Sequence, residues 1–296
     1  MATTTTITTS FDGNTDASKE IFVQIMKQAE TIAKGLITIM PNVIGSQKLP
    51  TLSYTDTLHD ASCGWNPTGT VVLAEREITT KQFEIKNEYC KKDFAQTFQA
   101  QAAGLLSANP QEIPSNIKEA ILLQVVQKTA LAVDNYIWNS ATTGLLAQFA
   151  ADSSVIKVVG ATVTASNVVA EIGKLYNVVP DELENDESTV FVVSTNVGKA
   201  YRIAQASMGM NTTVGAKELD YMGIRLETNS ALPANTILVY RVKNVFFGTG
   251  LESDLQNVRV IDHDETSGDG MVRTIVGLHA GQTFIFGGEI VTYRTA

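Results

Sequence analysis

Three histidines, two cysteines and one acidic loop are the residues of this chain best suited to chemistry. His59, His263 and His279 stand far apart, and none belongs to an H-E-x-x-H or comparable ligand pattern. Cys63 follows His59 by four residues, the makings of a base-activated thiol nucleophile, but both fall in a loop-like stretch with no orienting third group. Cys90 reads as a small apolar side chain, and two thiols without C-x-x-C spacing make no disulfide framework. The loop "DHDETSGDG", Asp262 to Gly270, approximates a calcium loop, yet Ser267 takes the place of the template's sixth-position glycine and no glutamate stands at the twelfth. It reads as a polar hairpin turn. The glycine pairs in "FGTG" and "FGGE" lack both phosphate-cradling spacings, and "DELENDE" reads as solvated surface. The expectation is a chain that is not an enzyme and carries no metal and no cofactor.

The elements that would have to position any site are more informative. The chain has 296 residues and is 44% hydrophobic, enough for a proper core. Its net charge of −9 and lack of any basic block disfavour a sequence-reading nucleic-acid binder. No apolar run approaches the ~18 residues of a membrane span. The N-terminus "MATTTTITTS" has neither the basic nor the apolar region of a secretory signal, which points to a cytosolic setting.

One stretch is out of proportion. In "EREITTKQFEIKNEYCKKD", Glu75 to Asp93, ten of nineteen residues are charged, against 18% for the whole chain. Phe83, Ile85 and Tyr89 nonetheless alternate with polar neighbours, the period of a strand. With "TVVLA" ahead of it, the pattern predicts one strand from Thr70 to about Tyr89. At ~3.3 Å per residue that is roughly 65 Å, well beyond the usual ~3–10 residues. "TLSYTDTL" reads as its partner, and "HDASCGWNPTG", His59 to Gly69, as the tip between them. A protruding hairpin of this kind is marginal alone. Either it packs on its own domain or it lies on another subunit, and interspersed charges of both signs suit the second.

Elsewhere the periodicity predicts an amphipathic helix from Asp16 or Ser18 to Gly35, with Ile21, Phe22, Ile25, Ala29, Ile32 and Leu36 on one face. A long rod-like helix follows over Ile117 to Asn139, capped by Asn116 and mostly apolar around its girth. Beyond "SATTG" the pattern alternates: a helix in "TASNVVAEIGKLYNVV", a buried strand in "STVFVVS", a helix in "TNVGKAYRIAQASM". Strands then follow in "YMGIRLETN", "TILVYRVKNVFFG", "QNVRVIDHD", "GMVRTIVGLHAG" and "TFIFGGEIVTYR".

This order of elements, with the helix end "VDNYIWNSATTG" and the passage "MGIRLETNSALP…ILVYRVKNVFFGTG", resembles the major capsid protein of tailed bacteriophages, the coat fold named after phage Hong Kong 97. The resemblance covers nearly the whole chain and rests on order and character, not on a catalytic signature. It implies an α+β subunit. Residues 1–49 would be an N-terminal arm with its helix, 50–90 the extended E-loop hairpin, and 91–150 the P-domain with its spine helix. Residues 151–249 would be the α/β A-domain, 250–283 the return hairpin of the P-domain, and 284–296 the last A-domain strand.

It further implies a structural protein that self-assembles as hexamers and pentamers into an icosahedral shell around double-stranded DNA. The implied partners are copies of itself, a separate scaffold protein, a portal, decoration proteins and non-specifically contacted DNA, with no membrane. The implied location is the virion capsid, with assembly in the host bacterial cytoplasm. On this reading Glu75, Arg76, Glu77, Lys81, Glu84, Lys86, Glu88 and Trp65 are candidates for contact between subunits. Some relatives crosslink a lysine near the E-loop tip to a neighbour's asparagine. Here His59 to Thr70 contains no lysine, so no crosslink is expected. Some relatives also begin with a cleaved scaffolding domain, and here the arm helix starts within about 20 residues of Met1, so none is expected to precede it. Two other readings stay open: an encapsulin-like nanocompartment shell of the same fold, separated by what fills the particle, and a soluble α/β enzyme or binding protein, which would need a pocket with converging polar groups.

Overall fold

The computed structural model of the chain describes residues 28–55, 63, 69–90, 115–208, 219–250, 258–262 and 271–295. A single helical turn, α1 (Glu30–Ala33), leads into β1 (Thr38–Met40). Strands β2 (Ser46–Thr55), β3 (Thr70–Thr79) and β4 (Lys81–Cys90) precede the spine helix α2 (Ser115–Asn139) and the short α3 (Leu145–Ala151). Then come β5 (Ile156–Gly160), α4 (Val168–Tyr176), α5 (Asp181–Glu184), β6 (Thr189–Ser194) and α6 (Thr195–Ser207). The chain closes with β7 (Leu219–Tyr221), β8 (Ile224–Asn229), β9 (Ile237–Arg241), β10 (Val245–Gly248), β11 (Val258–Asp262), β12 (Met271–Phe284) and β13 (Ile290–Thr295).

Two sheets and a ribbon carry this order. The first sheet has six strands in the order β5-β13-β9-β6-β8-β7. Its centre is apolar on both faces, and the pleat explains why: every residue of β6 is buried. Val190 and Val192, with Leu238 and Tyr240 of β9, face the spine-helix residues Val133, Ile137 and Trp138. Phe191 and Val193, with Ile237 and Val239, face α4 and α6 through Ile172, Leu175, Val197 and Tyr201. The second sheet is built on β12, which pairs with β4, β11 and β10, while β1 joins β10 in parallel. The ribbon is β2 with β3 alone, antiparallel over ten residue pairs from Ser46↔Thr79 to Thr55↔Thr70.

Asn244 fastens the two short connections, β9–β10 and β12–β13, that join the two large sheets. It lies between β9 and β10, its amide donates to the Phe286 carbonyl at 2.7 Å, and its Oδ1 accepts from the Ile285 and Phe286 amides between β12 and β13.

Several elements differ from the sequence reading. The strand expected over Thr70–Tyr89 is two strands in two different sheets, broken at Thr80. "YMGIRLETN" folds back on itself, β7 pairing with β8 across Met222 and Gly223, both at positive φ (50° and 84°). That is the two-residue primed hairpin turn, whose twist matches its strands. β12 runs unbroken through Gly281, where a strand boundary was expected. The arm helix closes at Gly35 as expected, but Ala29 is extended (ψ 115°) and interrupts it just before α1. Residues 16–27 of that helix lie outside the described residues.

Candidate intersubunit surface

The ribbon's geometry follows from the parity of its pairs. Ile78, Arg76 and Ala74 share a face with Leu49 and Thr51, while Glu77, Glu75, Leu73 and Val71 share the other with Lys48, Pro50 and Leu52. Near the root the first face turns inward. Ile78 and Leu49 are buried with Val43 against Met40, Phe246 and Ile285. Farther out, among the described residues, neither face is covered: Leu52, Val71, Val72 and Leu73 are 61%, 69%, 54% and 68% exposed. An exposed two-stranded ribbon bearing four apolar side chains is an uncompensated structure in water.

The root is held at two points. The first is Thr80, buried at the break between β3 and β4. Its hydroxyl donates to the Val43 carbonyl at 2.9 Å and accepts from the Gly45 amide at 3.1 Å, while its own amide donates to the Gly45 carbonyl at 2.7 Å. β12 crosses closely here, and a Cβ on Gly281 would lie 2.3 Å from the Thr79 carbonyl oxygen and 2.9 Å from Thr80 Cα. Only glycine lets that strand cross so closely. The second point is Arg76. Its guanidinium donates to Asp152 at 2.5 Å and to the Phe284 carbonyl at 3.3 Å, and lies 4.0 Å over the Phe284 ring. Asp152 is set for this: the Ser154 amide and hydroxyl both donate to it, and Lys157 donates to its carbonyl. The Ser154 hydroxyl first, and Arg76 with it, outweigh the cost of burial and lower the Asp152 carboxyl to about 2.

These facts sort the sequence candidates. Glu75 and Glu77 are exposed on the outward face, Glu75 paired with Lys48 at 2.6 Å. Arg76 does not face outward but is bound to its own subunit. Lys81, Glu84, Lys86 and Glu88 sit on β4, which pairs along all ten residues with the chain's own β12. Glu88 is bound to Arg273 of that strand at 2.7 Å, and Glu84 to Lys86 at 2.6 Å. The expectation of one long strand is therefore corrected: its second half is a separate strand paired to the chain's own β12, with Phe83 packed on Tyr136 at 4.5 Å between ring centroids and Lys81, Glu84, Lys86 and Glu88 exposed. Trp65 lies outside the described residues, as does most of the tip. Cys63 within that tip is exposed, and Cys90 is half-buried at the end of β4. His59, His263 and the loop after Asp262 also lie outside. Among the described residues, no group of three or more His, Cys, Asp or Glu could hold a metal ion.

A buried junction was missed from sequence. Asp134 of α2, 1% exposed, accepts from the backbone amides of Glu30 and, at 3.0 Å, Thr31, and so caps the broken helix from another element. The Thr31 hydroxyl accepts from Trp138 Nε1 at 2.8 Å and from Asn229 Nδ2 at 2.9 Å. Glu30 accepts from the Ser230 amide at 2.7 Å. Burial raises the Asp134 carboxyl above its ordinary range. Arm, spine helix and the end of β8 meet in this one network. The available signal was an aspartate at core spacing between Val133 and Ile137.

No known family's sequence model matches the chain, and no curated protein matches it in sequence. Solved structures do. A structure from Gordonia phage Cozz has TM-score 0.61 at 14% identity, over 90% of this chain and 87% of that one. The capsid of a native GTA particle has TM-score 0.62 at 13% identity, over 91% of this chain and 90% of that one. The holo-SrpI encapsulin complex of Synechococcus elongatus PCC 7942 has TM-score 0.53 at 12% identity, over 88% of this chain and 85% of that one. The chain has the α+β capsid fold that these structures share.

Proposed function

We propose that this chain is the coat subunit of a tailed-phage-type shell, self-assembling as pentamers and hexamers into an icosahedral capsid around double-stranded DNA. One observation carries the reading: a ribbon anchored firmly at its root and left apolar on both faces beyond it, on a fold shared with capsids. Such a ribbon is stabilised when it lies on a second copy. Head-to-tail contacts of this heterologous kind close into rings, and total burial above ~2,000 Å² per subunit is the scale of obligate contacts.

In this reading Glu75 and Glu77 meet a neighbouring subunit beside the apolar stripe, with Lys81, Glu84 and Lys86 on the exposed rim of β4 as further contacts. Trp65, in the tip, belongs to the same surface. A separate scaffold protein, a portal and decoration proteins are the expected further partners, and DNA is contacted non-specifically, enclosed and not read, since a chain of net charge −9 without a basic block has no reading face. Assembly takes place in the bacterial cytoplasm, and the product is the virion capsid. The test is expression followed by negative-stain electron microscopy and analytical ultracentrifugation. Rings, shells or tubes are expected, and nuclease-protected DNA within particles from infected cells separates a capsid from a cargo-filled nanocompartment. A monomer stable across a wide concentration range overturns the proposal.

A further inference from the structure

The ribbon is a lever, and a lever's direction needs two fixed points. Thr80 is one. Taken alone it is a pivot, because β3 and β4 are joined there by a single residue and belong to different sheets. The Ile78–Leu49–Val43 cluster also holds the root, with Leu49 paired opposite Arg76, but its apolar contacts are non-directional and set no angle by themselves. Arg76 stands four residues farther out, roughly 13 Å along the strand at ~3.3 Å per residue. Among the described β3 residues beyond Ile78, it is the one whose side chain is hydrogen-bonded to the body. From Thr80 to Thr70 the lever is roughly 33 Å long, so a swing of ~10° displaces its outer end by ~6 Å. A displacement that large would remove an apolar stripe from any surface shaped to receive it.

We propose that the Arg76–Asp152 clasp is a positioning device that fixes the ribbon's angle to the body, with Arg76 and Asp152 acting on assembly only through that angle. The construction of the site supports this. Asp152 is held by two Ser154 donors on one side and by Lys157 through its carbonyl on the other, so the carboxylate has one orientation to offer. Arg76 meets it while stacked on Phe284, whose carbonyl takes a second guanidinium N–H. A charge, a ring face and a carbonyl define a direction as well as an attachment, which an ammonium in the same place would not. The residues it joins, on β3, at the end of α3 and on β12, are held in place by other contacts, so the clasp is not needed to fold any of them. The assembly half of this inference rests on the shell reading, and the angular half does not.

The experiment measures the angle in isolated subunits. The full chain is given spin labels at Thr70→Cys on the ribbon and Lys199→Cys on α6, with Cys63 and Cys90 replaced by serine, and is diluted in unlabelled chain. Pulsed electron paramagnetic resonance is expected to give one narrow distance for the parent. Asp152→Asn, which keeps an acceptor for Ser154 but loses the charge, and Arg76→Ala should each at least double the width. Arg76→Lys should fall between. Melting temperatures should move by only a few degrees. Unchanged widths overturn the proposal even if the variants melt lower, since that is what a merely structural ion pair would give. If Arg76→Ala does not fold, Asp152→Asn and Arg76→Lys decide by the same criterion. Electron microscopy of the parent and the variants is read separately: broadened variant distances beside a parent that never assembles leave the clasp standing and remove the shell, and unchanged widths beside a parent that assembles do the reverse.

Discussion

Replacing the ribbon's exposed apolar residues should disable assembly while leaving the subunit intact. The variant is Leu52, Val71, Val72 and Leu73, all to threonine. Threonine keeps the strand propensity of the residues it replaces, so the ladder from Ser46↔Thr79 to Thr55↔Thr70 is retained. Within the subunit these side chains are 54–69% exposed and Leu73 lies directly opposite Leu52, so the change removes little packing. Folding stability should therefore shift by no more than about 0.5–1 kcal/mol. On a neighbouring subunit the same side chains would give up that exposure. Full burial contributes ~1.5–3 kcal/mol for Val or Leu, so covering about six-tenths of each contributes ~1–2 kcal/mol. Threonine keeps part of that, leaving a loss of about 0.5–1 kcal/mol per residue and ~2–4 kcal/mol per contact. At 1.4 kcal/mol per decade the association constant falls roughly 30- to 1,000-fold. The assay is the critical concentration for assembly by sedimentation, beside circular-dichroism melts of the dissociated subunit. An unchanged critical concentration would show that the stripe is not buried between copies. A melt lowered by several kcal/mol would show instead that the ribbon belongs to the subunit's own core.

Gly281→Ala should destabilise the subunit by about 1–3 kcal/mol in urea titration, because the new methyl meets backbone at Thr79 and Thr80; Gly288→Ala, with nothing within 4 Å, is the matched control and should be silent. Asp134→Ala should cost about 2 kcal/mol, since it strands the buried Thr31 amide and the half-buried Glu30 amide, less the relief of a desolvated carboxylate, and Asp134→Asn should cost less in the same titration. The Asp152 carboxyl is lowered from 3.8 to about 2. Its contribution is therefore complete above the unfolded value and lost as pH falls toward the folded one, so the roughly 1 kcal/mol advantage of the parent over Asp152→Asn should shrink between pH 4 and 2. Particles boiled in detergent and reductant should run as single chains of 31.9 kDa, because residues 59–70 contain no lysine, and a ladder of multimers would refute that.

The elements most legible in the sequence were those whose environment is set by burial on all sides. "STVFVVS" could only be a strand covered on both faces, and the spine helix could only be a rod with elements packed along it. The break at Thr80 was harder, because both halves of the stretch alternate with period two. The signal was there in the phase. Ile78 falls on even positions and Phe83 and Ile85 on odd ones, so a straight strand would put its buried residues on opposite faces, and a slip of one residue marks a change of sheet. Arg76 shares the phase of Ile78, which already assigned it to the inward face, against its charge. The Asp134 junction was not legible, because its donors stand over a hundred residues away at Glu30 and Thr31. Sequence shows that such a residue must find partners, but not which. The short α3 and β5 escaped because seven and five residues give too few periods to read.

Moving the break to Thr80 changes what the charges are for. On a single intersubunit strand, all ten charges of Glu75 to Asp93 would answer to a neighbour, and assembly would depend steeply on salt. On the structure as it stands, Glu88 is answered by Arg273 and Glu84 by Lys86 inside the chain, and Arg76 by Asp152. Surface pairs of this kind contribute about 0–1 kcal/mol each. They keep the exposed strand β4 soluble and help to set its register on β12 more than they bind a partner. Among the described residues the outward face keeps Glu75 and Glu77 with one cation, Lys48, beside Leu52, Val71 and Leu73, while Val72 is exposed on the other face. Such a surface would be held mainly by burial and oriented by its residual negative charge. Its affinity should therefore fall on cooling, as apolar association does, and respond only weakly to salt. Dissociation of particles at low temperature and moderate ionic strength would agree with this division of labour. Dissociation by salt alone at ambient temperature would return the leading role to the charges.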